Sequence, residues 1–176
     1  MVRKLKNIEL NRLSPKEFRK TEKKKVSVLL DNVRSMLNVG SVFRTCDAFA
    51  VSHLYLGGIT GTPPHREITK SAIGAELSME WSHTKSAVET IVKLKETGTR
   101  VVAVEQTDQS IEIQDLAVES GKDILLVFGN EVDGVSDDVL ALCDDFVEIP
   151  QYGTKHSLNV SVSAGIAIWE IQKKIS

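Results

Sequence analysis

The chain of 176 residues is 41% apolar and 26% charged, a composition typical of one globular domain and not of a disordered chain. It contains no apolar run that approaches the roughly 20 residues of a membrane span, and no signal-peptide core follows its first charged residues. Cys46 and Cys143 are too few for a disulfide framework and lie in apolar-periodic stretches, which favours buried free thiols in a reducing compartment. We therefore expect a cytoplasmic protein outside the membrane.

Charge is distributed unevenly along the chain. Residues 1–25 carry ten lysine and arginine side chains and three glutamates, a formal charge of +7. The whole chain has a formal charge of −2, so residues 26–176 carry −9. A basic arm on an acidic body suggests a polyanionic partner, first of all a nucleic acid, although a solvated terminus without a partner has the same composition. We therefore divide the chain into a basic arm, 1–25, and a single domain, 26–176.

The arm contains one local folding signal. Ser14 can cap a helix whose first position is Pro15 and whose third is Glu17, which predicts a short polar helix over 15–24. Phe18 is the only apolar anchor of this helix, so we expect the arm to supply affinity for a polyanion and little stability. A structural strap would instead pack the arm on the body through its apolar residues Ile8, Leu10, Leu13 and Phe18.

Strand-like and helix-like segments alternate along the body. Short apolar runs typical of buried strands lie at 26–30, 53–56, 101–104, 124–128 and 146–149. Apolar residues at helical spacing lie at 39–49, 87–94 and 135–142. This alternation predicts an α/β fold with a mostly parallel sheet and helices on both faces.

The C-terminal segment is ambiguous. Residues 158–163 alternate with period two, which indicates a strand, whereas residues 164–171 are apolar almost all round, which indicates a helix buried on more than one side. Periodicity alone leaves both interpretations open.

Several common chemistries are excluded. The chain has neither the G-x-G-x-x-G fingerprint of a dinucleotide site nor the G-x-S-x-G elbow of a hydrolase. Gly129 and Gly134 have the gap of a phosphate-binding loop, but Val135 stands where such a loop needs lysine. No metal site is expected, because the four histidines lack zinc-ligand spacing. They are His53, His65, His83 and His156.

A first polar constellation runs from Asn38 to Thr45 and opens a predicted helix. The free N–H groups of a helix N-terminus bind anions, and Arg44 can add a bidentate clamp for phosphate or carboxylate. The spacing of six predicts that Asn38 and Arg44 both lie near the N-terminal turns. A capped helix with a surface arginine is the alternative.

Two further constellations follow predicted strands. Glu131 lies in a polar loop after the strand 124–128, where open α/β sheets bind ligands, and it can orient a hydroxyl or an amine. A plain Asp-Gly turn is the alternative for this loop. The segment 149–162 passes through a glycine-bearing loop into an apolar element rich in small residues, and an ordinary loop and strand is the alternative there.

In this order, the three constellations resemble the motifs of the SpoU/TrmH-type RNA ribose 2′-O-methyltransferases of the SPOUT superfamily. The resemblance covers roughly residues 26–172 and rests on three groups of residues. They are Asn38-x-Gly40-x-x-x-Arg44-Thr45, then Phe128-Gly129-Asn130-Glu131, then Ile149-Pro150 with Ser157-Leu158-Asn159-Val160-Ser161-Val162.

The resemblance implies a fold, a cofactor and an assembly. The C-terminal part would form a deep trefoil knot, an exception to the rule that chains are unknotted, and S-adenosyl-L-methionine would bind in it. The segment from Ser157 would be a helix, and two copies would form a homodimer that completes the active site across the interface. The cofactor-binding positions implied are Val104, Gly129, Ile149 and Leu158.

The resemblance also implies a reaction, the transfer of a methyl group to a ribose 2′-oxygen. Arg44 would hold the substrate phosphate and help to activate the hydroxyl. Because a guanidinium releases its proton very reluctantly, an electrostatic role suits Arg44 better than that of a free base. The residues implied to position Arg44, the ribose and the cofactor are Asn38, Glu131, Ser157 and Asn159. The lysines expected to bind RNA are Lys23, Lys24 and Lys25.

An arm of about 25 residues is too short for the separate RNA-binding domain of many ribosomal-RNA relatives, which favours transfer RNA over ribosomal RNA. Two alternatives remain, a non-catalytic RNA-binding or assembly protein and a small-molecule methyltransferase on the same fold. The chain departs from the family at Val132, where glycine is usual. Since a β-branched residue strongly disfavours positive φ, the turn is expected to shift to Asp133 and Gly134, and with it the placement of Glu131.

Overall fold

The computed structural model describes residues 2–175, which form one seven-stranded sheet in which all neighbouring strands are parallel. In chain order the strands are β1 (Lys24–Asp31), β2 (Val51–Gly57), β3 (Trp81–Thr84), β4 (Arg100–Val104), β5 (Ile111–Glu112), β6 (Ile124–Phe128) and β7 (Asp145–Glu148). Across the sheet they run β3-β2-β1-β6-β4-β7-β5, so β6 lies between β1 and β4 although it follows both in the chain.

Seven α-helices connect or flank these strands within the described residues. They are α1 (Pro15–Phe18), α2 (Met36–Ala48), α3 (Arg66–Ala72), α4 (Ala75–Ser78), α5 (Ala87–Glu96), α6 (Asp137–Leu140) and α7 (Val160–Ile175). The predicted α/β fold with a parallel sheet is confirmed, whereas β3, β5, α3 and α4 were not predicted.

The sheet has a hydrophobic core on each face. Val28 and Leu30 of β1 belong to a core that α2 and α7 cover, and Leu29 between them belongs to a second core under α5 and α6. Successive side chains of a strand point to opposite faces, which explains this division. The prediction of helices on both faces is confirmed.

The ambiguous C-terminal segment is a helix from Val160 onward, and its period-two pattern forms no strand. The pattern falls on the residues before α7 and on its first turn, a stretch too short to show the 3.6-residue period. The helix begins three residues later than the family resemblance implies, because Ser157 lies in the preceding loop. Ala164 and Ala167 are fully buried against the core.

The arm folds only locally. Ser14 and Glu17 form the predicted capping box around Pro15, but α1 ends at Phe18 instead of residue 24. The chain turns there, since the N–H of Thr21 donates to the carbonyl of Phe18 (3.1 Å), and β1 already begins at Lys24. Phe18 packs against the core, whereas the other apolar arm residues of the strap hypothesis, Ile8, Leu10 and Leu13, are exposed.

Two further predictions concern the cysteines and the membrane. Both thiols are free, and Cys46 is buried as predicted, whereas Cys143 is only half-buried. Burial raises the pKa of each thiol, to about 12 for Cys143. Within residues 2–175 no helix is both long enough and apolar enough to cross a bilayer.

Candidate active site

A cavity of about 530 Å³ opens where β4, β6 and β7 end and where the chain enters α7. Its volume falls within the range of roughly 300–1,000 Å³ that small-molecule sites have. All four predicted cofactor positions line it, namely Val104, Gly129, Ile149 and Leu158. Loops at the carboxyl ends of parallel strands form ligand sites in open α/β sheets, and three such loops meet here.

Gly129 lets two segments of backbone meet at the wall of this cavity. A Cβ atom on Gly129 would lie only 1.9 Å from the carbonyl carbon of Gly134 and 2.0 Å from the nitrogen of Val135. No side chain fits in that gap, so the close approach requires glycine.

The turn after Gly129 is closed by Asn130 and Gly134. Their backbones exchange two hydrogen bonds of 3.0 and 3.1 Å, and Oδ1 of Asn130 accepts the N–H groups of Val132 and Asp133 at 2.9 Å each. Gly134 has a φ of +71°, whereas Val132 has no positive φ and is 72% exposed. The residue of this turn with positive φ is therefore Gly134 and not Val132, as expected for a valine at that position.

Glu131, at the tip of this turn, contacts the start of α2. Its carboxylate accepts the backbone N–H groups of Arg34 and Ser35, each at 3.2 Å, and Nδ2 of Asn38 at 2.8 Å. Burial alone would raise the pKa of this carboxyl, but the hydrogen bonds from Asn38 and from the backbone outweigh it, and the pKa lies below its ordinary value. Glu131 is therefore ionised at neutral pH.

The same hydrogen-bond chain continues to α7. Oδ1 of Asn38 accepts Nδ2 of Asn159 at 3.1 Å. Oδ1 of Asn159 in turn accepts the backbone N–H of Ser161 at 2.9 Å and its hydroxyl at 2.6 Å, which caps the N-terminus of α7. One residue from each of the three sequence motifs thus joins a continuous network, Glu131–Asn38–Asn159.

Ser157 and Arg44 are placed differently. Ser157 lines the cavity beside Leu158 and Asn159. Arg44 is the ninth residue of α2, in its third turn and about 9 Å along the axis from Asn38, so the prediction that both lie near the N-terminal turns is wrong for Arg44. Its side chain is exposed and lies outside the cavity lining, and its guanidinium forms no hydrogen bond or ion pair with any residue of the described range 2–175.

Two of the three lysines expected to bind RNA bond to their own chain. The ammonium of Lys23 lies 3.7 Å from the centre of the Phe18 ring and donates to the Thr21 hydroxyl at 2.9 Å. Burial lowers the pKa of Lys23. Lys25 donates to the carbonyl of Gly121 at 2.7 Å, and Lys24 is exposed at the start of β1.

Sequence reasoning missed two carboxylates beside the turn, Asp31 at the end of β1 and Glu105 directly after β4. Oε2 of Glu105 accepts the N–H of Val135 at 3.0 Å, and Oδ2 of Asp31 accepts the N–H of Ser136 at 2.9 Å. Both acids follow apolar runs that predict strands, and this position at the carboxyl end of a strand could have identified them in the sequence.

Comparison with known proteins gives concordant results. The sequence model of the SpoU rRNA Methylase family matches residues 25–169. The tRNA (guanosine(18)-2′-O)-methyltransferase of Aquifex aeolicus is 32% identical over 165 residues, which cover 90% of this chain and 74% of that protein.

Solved structures agree with the sequence match. The crystal structure of the A. aeolicus TrmH/SpoU tRNA modifying enzyme superposes with a TM-score of 0.80 at 29% identity, over 91% of this chain and 81% of that one. The AdoMet-bound rRNA methyltransferase from Sinorhizobium meliloti superposes with a TM-score of 0.79 at 26% identity, over 94% and 62%. The sequence match, the parallel sheet and the hydrogen bonds that join the three motifs agree, and the chain belongs to the SpoU rRNA methylase family.

Proposed function

We propose that this protein transfers a methyl group from S-adenosylmethionine to a ribose 2′-oxygen of transfer RNA. The observation that carries the proposal is the Glu131–Asn38–Asn159 network beside a cavity at the ends of three parallel strands. The name of the A. aeolicus relative supports transfer RNA as the substrate class and makes guanosine 18 the first position to test.

The cavity fits the cofactor in size and in chemistry. Val104, Ile149 and Leu158 offer apolar walls for an adenine ring, while backbone groups around Gly129 offer hydrogen bonds. The carboxylate of Glu131 makes the cavity suitable for a cationic ligand. S-adenosylmethionine supplies a methyl group that its sulfonium already activates.

The protein must then align the ribose oxygen and stabilise charge as the hydroxyl loses its proton. Asn38 and Asn159 are oriented by the ionised Glu131 at one end and by the capped α7 at the other, so their amides present fixed dipoles. Ser157 adds a hydroxyl at the cavity wall. Arg44 has an exposed guanidinium with free donors, which suits a substrate phosphate.

A homodimer belongs to the same proposal. Val162, Ile166 and Trp169 lie three to four residues apart on α7 and are 49%, 38% and 53% exposed, which forms an apolar stripe. A second copy that covers this stripe would bury it. Since Arg44 lies outside the cavity of its own chain, completion of the active site across the interface also accounts for its position.

RNA affinity is assigned to the basic arm, whose residues 2–6 and 8–14 are exposed and include four basic side chains. A cytoplasmic location and the trefoil knot complete the proposal, and both rest on the family resemblance.

Two measurements test the proposal together. Isothermal titration should show S-adenosylmethionine binding, and the tritiated methyl group should appear in an unmodified transfer-RNA transcript. Binding without transfer to any RNA would favour a non-catalytic or small-molecule role, and the absence of binding at hundreds of micromolar would refute the enzyme.

A further inference from the structure

The segment from Gly129 to Ser136 forms a wall of the cavity and carries Glu131 at its tip. It is an irregular loop, and every hydrogen bond between two of its residues involves Asn130. Such a loop needs contacts from the sheet to hold one position, because fixing each residue costs conformational entropy. Strands β1 and β4, which flank β6 in the sheet, supply these contacts.

Glu105 provides the contact from β4. Its backbone N–H donates to the carbonyl of Val147 at 2.9 Å, which fixes its own backbone against β7. Its carboxylate accepts the N–H of Val135 through Oε2 (3.0 Å) and the N–H of Gln106 through Oε1 (3.0 Å). A Cβ atom on Gly134 would lie 2.3 Å from Oε2, so the carboxylate occupies the space that the missing side chain leaves.

Asp31 provides the contact from β1. It is 2% exposed, and its Oδ2 accepts the N–H of Ser136 at 2.9 Å and the hydroxyl of Ser136 at 2.7 Å. Its other oxygen accepts Nδ2 of Asn32 at 2.8 Å. Among residues 2–175, neither Asp31 nor Glu105 forms an ion pair with a lysine, arginine or histidine. Each carboxylate instead accepts a hydrogen bond from a backbone N–H group of the loop.

We propose that Glu105 and Asp31 are positioning residues that clamp the loop 129–136 from both sides and thereby place Glu131 and the cavity wall for the cofactor. The proposal deepens the proposed function and rests on it. Val132 makes the clamp necessary, because it cannot take the positive φ of a glycine and the reversal falls on Gly134. At Gly134 the chain has room for the Glu105 carboxylate.

Amide hydrogen exchange of the cofactor-free protein tests the clamp without any activity. Glu105→Ala should speed exchange at Val135 and its neighbours about tenfold or more, because a hydrogen bond to a charged group is lost. Glu105→Gln keeps an acceptor oxygen for Val135 and should restore most of the protection. Asp108→Ala, an exposed acid three residues along the same loop, is the matched control and should leave the exchange unchanged. If the alanine variant does not fold, Glu105→Asp, shorter by one methylene group, takes its place.

Titration with S-adenosylmethionine then tests the consequence. Glu105→Ala should weaken binding about tenfold or more, since the wall is no longer held, and Glu105→Gln should recover most of it. A Gln variant as weak as the Ala variant, unchanged exchange in Glu105→Ala, or faster exchange with unchanged affinity would each overturn the clamp. If the parent protein binds no cofactor while exchange responds as predicted, the proposed function fails and the clamp on the loop stands.

Discussion

Arg44 is the residue on which the proposed chemistry depends most strongly. Arg44→Ala should lower methyl transfer about 100-fold or more, as for loss of a donor to a developing anion. Arg44→Lys should fail as well, since a point charge does not replace a planar fork of donors. The affinity for S-adenosylmethionine should stay within about twofold, because Arg44 does not line the cavity.

Single-turnover methyl transfer and calorimetric titration, run on the same preparations, check this prediction. Arg66→Ala, which removes another exposed arginine on α3, is the control. Turnover of either Arg44 variant near that of the parent would remove Arg44 from the mechanism.

Glu131 should give the protein a specific acid sensitivity. Its pKa is lowered in the folded state, so its contribution to stability is complete above the ordinary value of about 4.5 and is lost as pH falls through the lowered value. Glu131→Gln should therefore melt below the parent at pH 7, and the difference should shrink below pH ~4. Melting curves of both proteins from pH 7 to pH 3 measure it, and a difference that stays constant or grows in acid would contradict the assignment.

The residues of the network could be predicted from the sequence, but their contacts could not. Asn38, Glu131 and Asn159 stand in recognisable motifs, yet the hydrogen bonds that join them span 93 and 121 residues of chain. Asp31 and Glu105 were missed because an acid after a strand has many uses, and only the position of the loop shows which N–H groups it accepts.

At the scale of elements, the turn between β6 and α6 should tolerate no side chain at its first position. Gly129→Ala forces a Cβ atom against backbone 1.9 Å away and should lower the free energy of unfolding by about 1–3 kcal/mol, as overpacking does. Gly153→Ala is the matched control, because a Cβ there meets nothing within 4 Å. Urea unfolding of both variants makes the comparison, and equal stabilities would show that the turn rearranges.

The long apolar runs predicted their strands because a buried strand needs continuous apolar residues. The edge strands escaped prediction for the opposite reason, since β5 has two exposed residues and β3 mixes Trp81 with polar neighbours. The alternating residues of the C-terminal segment indicate a strand, although they lie at the cap and first turn of a helix. Asn159 caps α7, and the residues that follow it form the first turn.

At the scale of the molecule, we expect two parts of the arm to have different roles. Deleting residues 2–13 removes four basic side chains and exposed apolar ones, so RNA affinity and its salt dependence should fall while the melting temperature hardly changes. Deleting residues 2–23 also removes Phe18 from the core, and the melting temperature should fall as well.

RNA affinity at two salt concentrations and a melting curve for each truncated protein decide the matter. Unchanged RNA binding in the shorter deletion would exclude this part of the arm from RNA recognition. A large loss of stability in that same deletion would instead support the hypothesis that the arm packs on the body as a structural strap.

The alternation of strand-like and helix-like segments does not predict the order of the strands in the sheet. Alternation indicates a parallel sheet, but the insertion of β6 between β1 and β4 depends on which apolar faces pack best in three dimensions. That insertion brings the loop after β6 next to the start of α2, where Glu131 meets Asn38.

The central claim is that the ribose 2′-oxygen receives the methyl group. The direct test uses two transfer-RNA transcripts that differ by one atom, one with ribose and one with 2′-deoxyribose at the nucleotide that the protein modifies. Nucleoside mass spectrometry should find a 2′-O-methyl nucleoside in the first, and the deoxy transcript should bind equally well but accept no methyl group. Transfer of the methyl group to the deoxy transcript, or a methyl group on a base, would contradict the account.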